Sequence, residues 1–250
     1  MSLVRGILRF AAPAPKLEGF ERYLFIGPHP DDIEIGAGAT AARLVEEGKQ
    51  VCFLICTDGR YGLDYAPVGT TPEALAALRQ QEALAAAASL GVTDVRFLGL
   101  SDGAFYSEEE LLFALARAIG DFGPQVIFAP DPDVSSECHA DHLNVGRASK
   151  RLSFFAPFAS IMAHYGARPA PVQALALYMT AHPNRFVNTR GRLQRQLTAL
   201  LLHKTQFPAD SPAYRSLALY LHLRHLSFLG REGFRVLGQT QMHCLPEAGK

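Results

Sequence analysis

Four short apolar runs, residues 23–27, 51–56, 95–98 and 125–129, are spaced along the chain with a helical pattern between each pair. The second, Val51-Cys52-Phe53-Leu54-Ile55-Cys56, is continuously apolar, as expected of a strand covered on both faces. Strands that alternate with helices join through right-handed crossovers, which makes their sheet parallel and puts helices on both of its sides. The chain is therefore expected to be α/β, with a Rossmann-like, mostly parallel sheet. Its 250 residues, 48% of them apolar, can bury one substantial core. A single domain over residues 1–250 is expected, with residues 1–20 as an arm and residues from about 207 to 250 as a C-terminal extension.

Local signals punctuate this pattern. Residues 36–47 have helical spacing, with Leu44 and Val45 inside and Arg43, Glu46 and Glu47 outside, and Gly48 stops the helix. Thr71-Pro72-Glu73 caps a helix that runs to Leu90 and closes at Gly91. Ser107 with Glu110 forms a capping box for a helix to Ile119, with Gly120 as its end. Between strand two and its helix, residues 60–70 are rich in glycine and tyrosine without periodicity, which suggests a loop over a site. Further on, residues 173–179 read as a fifth strand, residues 193–203 and 214–229 as helices, and residues 234–237 as a short apolar segment.

Charge and cysteine usage narrow the classes of partner. Lys plus Arg and Asp plus Glu both number 24, so there is no basic footprint for nucleic acid or an anionic membrane, and a small, weakly charged ligand fits better. Cys52, Cys56, Cys138 and Cys244 follow no zinc-ribbon or disulfide spacing and read as reduced thiols. No run is long enough to span a bilayer and the N-terminal apolar stretches are too short for a signal sequence, so a soluble, cytoplasmic protein is expected.

Two polar clusters carry the chemistry. Pro28-His29-Pro30-Asp31-Asp32 follows the first strand directly, and His139-Ala140-Asp141-His142 lies after the fourth, near the start of a helix. In doubly wound sheets ligands bind outside the carboxyl ends of the strands where strand order reverses, commonly between strands one and four, so the two clusters are expected to meet. Imidazole and carboxylate are ligands that zinc accepts, and a spare carboxylate can act as a base. Alone, the first cluster also fits a capped turn and the second a helix N-terminus. Together at these strand ends they point to a metal site.

Other features compete less well. Gly36-Ala37-Gly38-Ala39-Thr40-Ala41 fits a dinucleotide fingerprint with Asp58 as the ribose-binding acid, but eight residues separate it from the strand it should follow. His222 and His225 lack a third ligand nearby in sequence, His182 and His203 fall outside the clusters, and Cys138 reads as a partly buried thiol.

The motifs Pro28-His29-Pro30-Asp31-Asp32 with Glu34-Ile35-Gly36, Thr57-Asp58-Gly59, Arg79-Gln80-Gln81-Glu82, Leu98-Gly99-Leu100-Ser101-Asp102-Gly103, His139-Ala140-Asp141-His142 and His203-Lys204-Thr205-Gln206 resemble the PIG-L/LmbE family of zinc-dependent N-acetylglucosamine deacetylases, over residues 22 to 237. That resemblance implies His29, Asp32 and His142 as ligands of one Zn2+ per chain, Asp31 as general base, and His139 as the imidazole that stabilises the transition state, oriented by Asp141. It further implies Arg79 and Asp102 as substrate-binding residues, an amino-sugar conjugate as substrate, and assembly into a homo-oligomer such as a hexamer. Fe(II), Co(II) or Mn(II) could use the same ligands. The implied reaction is removal of an acetyl group by attack of a metal-bound water, since three protein ligands leave a position where zinc lowers the pKa of water to roughly 7. Alternatives are a dinucleotide-binding protein and a non-catalytic relative that binds a sugar conjugate; intact Asp31 and His139 argue against the latter. Asn188, Ala140 and the lead-in Ser135-Ser136-Glu137-Cys138 depart from the family pattern and bear on the substrate more than on the chemistry.

Overall fold

A computed structural model describes residues 11–243. The alternation expected from the sequence is present: β1 (Arg22–Gly27), α1 (Asp32–Glu46), β2 (Gln50–Thr57), α2 (Pro72–Leu90), β3 (Asp94–Leu100), α3 (Glu108–Phe122), β4 (Val126–Pro130), α4 (Ala140–Phe155), α5 (Ala159–His164) and β5 (Ala174–Tyr178). Then follow β6 (Arg185–Asn188), α6 (Leu193–Leu200), α7 (Pro212–Ser227), β7 (Arg231–Gly238) and α8 (Gln239–Met242). The seven strands form one sheet in the order β3-β2-β1-β4-β5-β7-β6. The first five pair in parallel, while β7 runs antiparallel to both β5 and β6. The sheet is thus α/β and mostly parallel.

Strand residues alternate between two cores. Phe25, Phe53 and Phe128 face α1 and α2, with Phe25 and Phe128 stacked at 4.2 Å between ring centroids. Leu24, Ile26, Leu54 and Ile127 face the other way, onto Leu115 and Ile119 of α3 and Leu152 of α4. Each fully buried leucine or phenylalanine stabilises the fold by about 1.5–3 kcal/mol, so both faces of the central strands contribute. Cys52 and Cys56 lie in the second core, where burial pushes their thiols upward, and Cys138 is exposed; none of the three is in a disulfide. Cys244 lies outside the described residues, as do residues 1–10 of the expected arm. Of that arm, Leu17 is buried and its carbonyl accepts from the Tyr23 hydroxyl. Among the described residues no helix is long and apolar enough to cross a membrane.

Several local expectations shift. The helix expected over residues 36–47 begins at Asp32 and is kinked at Ala37 (φ −154°, ψ 16°). Gln196 of α6 donates to the Glu34 and Ile35 carbonyls at 2.8 and 3.2 Å, which compensates the broken helical ladder. Gly36 is needed at this point because a Cβ there would collide with the Tyr178 ring. The glycines of the dinucleotide-like pattern therefore sit inside α1 as packing positions, not in the turn after β1. Gly120 does not end α3, which continues to Phe122 and closes on left-handed Gly123; at Gly120 a Cβ would come 2.5 Å from the Arg168 carbonyl oxygen. Finally, part of the expected extension returns to the sheet, since β7 is inserted between β5 and β6.

Candidate metal centre

β1 and β4 are neighbours, and β2 and β3 lie on the far side of β1, so strand order reverses at the β1–β4 boundary. A crevice opens above such a boundary because successive crossovers leave it in opposite directions. The loop after β1 brings in His29 and Asp31 and runs into α1 at Asp32; the loop after β4 brings in His139 as the N-cap of α4, with Asp141 and His142 in its first turn. The clusters meet as expected: the His29 ring centroid is 4.7 Å from that of His139 and 5.3 Å from that of His142.

Two imidazoles converge on one carboxylate oxygen. His29 Nδ1 and His142 Nε2 lie 3.1 and 3.3 Å from Asp32 Oδ2. Their outer nitrogens each meet another acid: His29 Nε2 is 3.1 Å from Asp102 Oδ1 and 3.2 Å from Asp141 Oδ2, and His142 Nδ1 is 3.0 Å from Glu137 Oε2. A metal-binding imidazole gives its second N–H to a carboxylate, which fixes the tautomer and turns the other nitrogen's lone pair to the ion. His29, Asp32 and His142 therefore fit a divalent cation.

A second group, His29, Asp102, His139 and Asp141, also gathers its donor atoms. Its central acid is already satisfied, however. Asp141 is fully buried and accepts from Gly103 N (2.9 Å), Ala104 N (3.0 Å) and the Tyr106 hydroxyl (2.7 Å). Gly103 and Ala104 are both left-handed, and their successive N–H groups form a nest around this carboxylate. Asp141 serves better as a brace for His29 than as a ligand.

The charges of the crevice suit an ion. Burial works against a charged His29, but hydrogen bonds to Asp102, Asp141 and Asp32 outweigh it and push the imidazole up to about 12. Burial likewise opposes a charged His142, and Asp32 pushes it up to about 9. Burial alone would raise Asp32, yet His142 and His29 hold it well below the usual carboxylate range. Two imidazoles held protonated by surrounding acids mark a place where a cation can take the protons' part.

Asp31 is set apart from Asp32. Its φ of 127° is a conformation that costs a non-glycine residue of order 1–3 kcal/mol. Arg79 holds it: Nη2 donates to Asp31 Oδ2 at 3.0 Å and to the Pro30 carbonyl at 2.8 Å, and Nη1 donates to the Gly59 carbonyl at 2.9 Å. Burial pushes the Asp31 carboxyl up to about 6 against the opposing pull of Arg79.

The residues read from sequence as substrate contacts, Arg79 and Asp102, are both buried. Arg79 is only 4% exposed and grips the loop of Asp31. Asp102 is bonded to His29 and accepts from Tyr61 N at 3.2 Å. His139 is the open member of the set, with its side chain 48% exposed. Its Nδ1 accepts from Asp141 N at 3.3 Å and stands 3.7 Å from the Asp141 carboxylate, so the backbone of Asp141 orients it more directly than the side chain does. Burial and the neighbouring His29 and His142 lower its pKa, which favours a neutral ring. His203 is fully buried 3.4 Å from Glu34, and His222 is held by the Ala218 carbonyl within α7. Glu137 was not singled out from sequence as a site residue, and only its place before a ligating helix could have signalled it. It braces His142 and also accepts from His139 N at 2.8 Å.

The chain is similar to known proteins over most of its length. A family model described as GlcNAc-PI de-N-acetylase (PIG-L) matches residues 24–153. The chain is 30% identical over 236 residues to the diacetylchitobiose deacetylase of Thermococcus kodakarensis, covering 91% of this chain and 87% of that protein. It is also 30% identical over 203 residues to the 1D-myo-inositol 2-acetamido-2-deoxy-alpha-D-glucopyranoside deacetylase of Kineococcus radiotolerans, covering 70% of this chain but only 55% of that protein. Among solved structures, N,N'-diacetylchitobiose deacetylase from Pyrococcus horikoshii superposes with a TM-score of 0.85 at 26% identity, covering 98% of this chain and 97% of the other.

Proposed function

The chain belongs to the PIG-L family of de-N-acetylases, and from that premise we propose that it is a metal-dependent amidohydrolase that removes the acetyl group from an N-acetylglucosamine-type conjugate. The observation that carries this reading is the convergence of His29 Nδ1 and His142 Nε2 on Asp32 Oδ2, with Asp31 held separately alongside. A divalent ion on His29, Asp32 and His142, zinc by ligand type, would polarise the acetyl carbonyl and acidify water. The protein's own groups supply the rest.

Asp31 is the general base. Its Oδ2 is engaged by Arg79, which leaves Oδ1 to take a proton from the attacking water. A carboxyl pushed up to about 6 can hold that proton and return it to the departing amine. His139 stabilises the oxyanion: because Nδ1 accepts from Asp141 N, the ring proton resides on Nε2, a neutral donor that needs no reorganisation as charge develops. Arg79 positions Asp31, while Asp102 and Asp141 brace His29. The same reading includes a cytoplasmic location and a homo-oligomer such as a hexamer, for which the exposed Leu219, Leu223 and Leu226 of α7 offer an apolar face.

Purified protein loaded with zinc should release acetate from N-acetylglucosamine conjugates, lose that activity on chelation and regain it when zinc is restored. Acetate release that ignores chelation would remove the metal from the mechanism. A zinc-loaded protein inert towards every such conjugate would remove the reaction.

A further inference from the structure

Beside the crevice, the loop after β2 and the turn after β3 end in aromatic side chains that the hydrolytic chemistry leaves unused. Tyr61 and Phe105 pack edge to face, with ring centroids 5.8 Å apart and planes at 89°. They nonetheless remain 50% and 71% exposed. Phe105 lies against Gly103, where a Cβ would come 2.9 Å from its ring, so the glycine lets the ring settle on the turn.

The backbone of Tyr61 and the two residues before Phe105 are fastened to the acids that brace His29. Tyr61 N donates to Asp102 Oδ2, and Gly103 and Ala104, immediately before Phe105, donate to Asp141. Both acids contact His29 Nε2. Ala104 keeps a left-handed φ of 59°, a conformation disfavoured for alanine that the nest around Asp141 sustains. The aromatic pair is thereby held at a fixed offset from the candidate metal ligands.

We propose that Tyr61 and Phe105 form a platform for a second ring, a pyranose or cyclitol, joined to the N-acetylglucosamine unit whose amide the site cleaves. This inference rests on the de-N-acetylase reading and adds to it a requirement for a ring beyond the reacting sugar. Such rings carry a face of axial C–H groups with hydroxyls around the edge, and an open aromatic face buries the first while leaving the second in water. The acetamido group must reach down to His29, Asp32 and His142, so whatever is joined to its sugar extends outward across the rim. Polar neighbours border the pair, with Arg60 bonded to Asp58, which suits a small amphiphilic ring better than a broad protein face.

The test uses zinc-loaded, full-length protein and initial rates of acetate release from N-acetylglucosamine and from N,N'-diacetylchitobiose. Wild type should prefer the disaccharide. Phe105→Ala and Tyr61→Ala should each lower the disaccharide-to-monosaccharide ratio of kcat/KM by roughly three- to tenfold, the worth of one aromatic contact, mainly through KM. Phe105→Trp should keep the ratio, because it preserves the face. A wild-type enzyme that cleaves the disaccharide with no preference, or a ratio that neither alanine variant moves, overturns the platform and leaves the de-N-acetylase reading standing. A change in solution mass with the ratio unmoved identifies the patch as a subunit contact and also overturns it. Should wild type cleave neither compound nor any other N-acetylglucosamine conjugate while holding zinc, both readings fall.

Discussion

Two acids in this sheet have carboxyl groups that burial pushes upward, Asp31 to about 6 at the carboxyl end of β1 and Glu232 to about 7 in the antiparallel strand β7. Their surroundings differ in kind. Asp31 faces an arginine fork and adjoins the acid on which two imidazoles converge. Glu232 accepts from Thr40 N and its hydroxyl through Oε2, while Oε1 is buried with no hydrogen-bond partner among the described residues. A raised pKa records burial in both places; only where complementary groups converge does it point to chemistry.

The sharpest way to break this contrast is to empty the crevice. His29→Ala would leave Asp32, Asp102 and Asp141 without the imidazole that all three contact. It should abolish zinc binding and turnover, and lower stability by about 3–5 kcal/mol, as when one partner of a buried charged network is removed. Metal analysis and urea unfolding would read both effects. The neighbouring His139→Ala should keep zinc and stability yet lose turnover. Loss of zinc from His139→Ala would show that the second group of donors is the receptor.

Asp31→Asn comes next in size. It removes the proposed base but no proposed ligand, so zinc content should hold while kcat falls by about 10²–10⁴-fold. In wild type the acid limb of kcat/KM should lie at or below about 6, because Asp31 works as the carboxylate and a bound cation can only favour that form. Activity therefore rises with pH through the limb, and Asp31→Asn should lose the limb together with the rate. A limb that survives the substitution belongs to another group.

The core alternation and the two polar clusters were legible because each depends on neighbours in sequence. Residues 51–56 announce a buried strand by themselves, and Thr71-Pro72 and Ser107 with Glu110 announce helix starts through local hydrogen bonds. β6 was not legible. Arg185–Asn188 is only four residues long with two exposed side chains, and it is a strand because β7 pairs with it. The same holds for side chains whose meaning comes from another element. Nothing local marks Arg79 as the holder of Asp31, and Glu137 becomes a brace only once α4 aims His142 at Asp32. Gly120 looked like a helix end because its true reason, the Arg168 backbone, lies far along the chain.

Glu137→Gln sharpens the contrast from the metal side. An amide can still bond to His142 but no longer favours the ring's outer N–H with a charge, so zinc affinity should fall by about 10–100-fold, measured by competition with a chelating dye. Replacing Glu73, whose exposed carboxylate pairs with Arg60, should leave zinc affinity unmoved. Equal losses in the two variants would mean that general negative charge, rather than the bond to His142, sets the affinity.

The smallest effect belongs to Glu232. Its folded pKa of about 7 lies above the ordinary 4.5, so between those values the native protein holds a proton that the unfolded chain has released. Stability from this group is therefore complete below about pH 4.5 and is lost as pH rises to about 7. Glu232→Gln, which keeps an oxygen for Thr40 and removes the buried charge, should flatten that dependence and raise Tm at pH 8 by about 2–4 °C, the effect of about 1 kcal/mol in a domain of this size. Zinc content and turnover should not follow. Were turnover to fall in step with Asp31→Asn, the antiparallel edge would belong to the catalytic apparatus, and the distinction between a burdened acid and a working one would fail for this sheet.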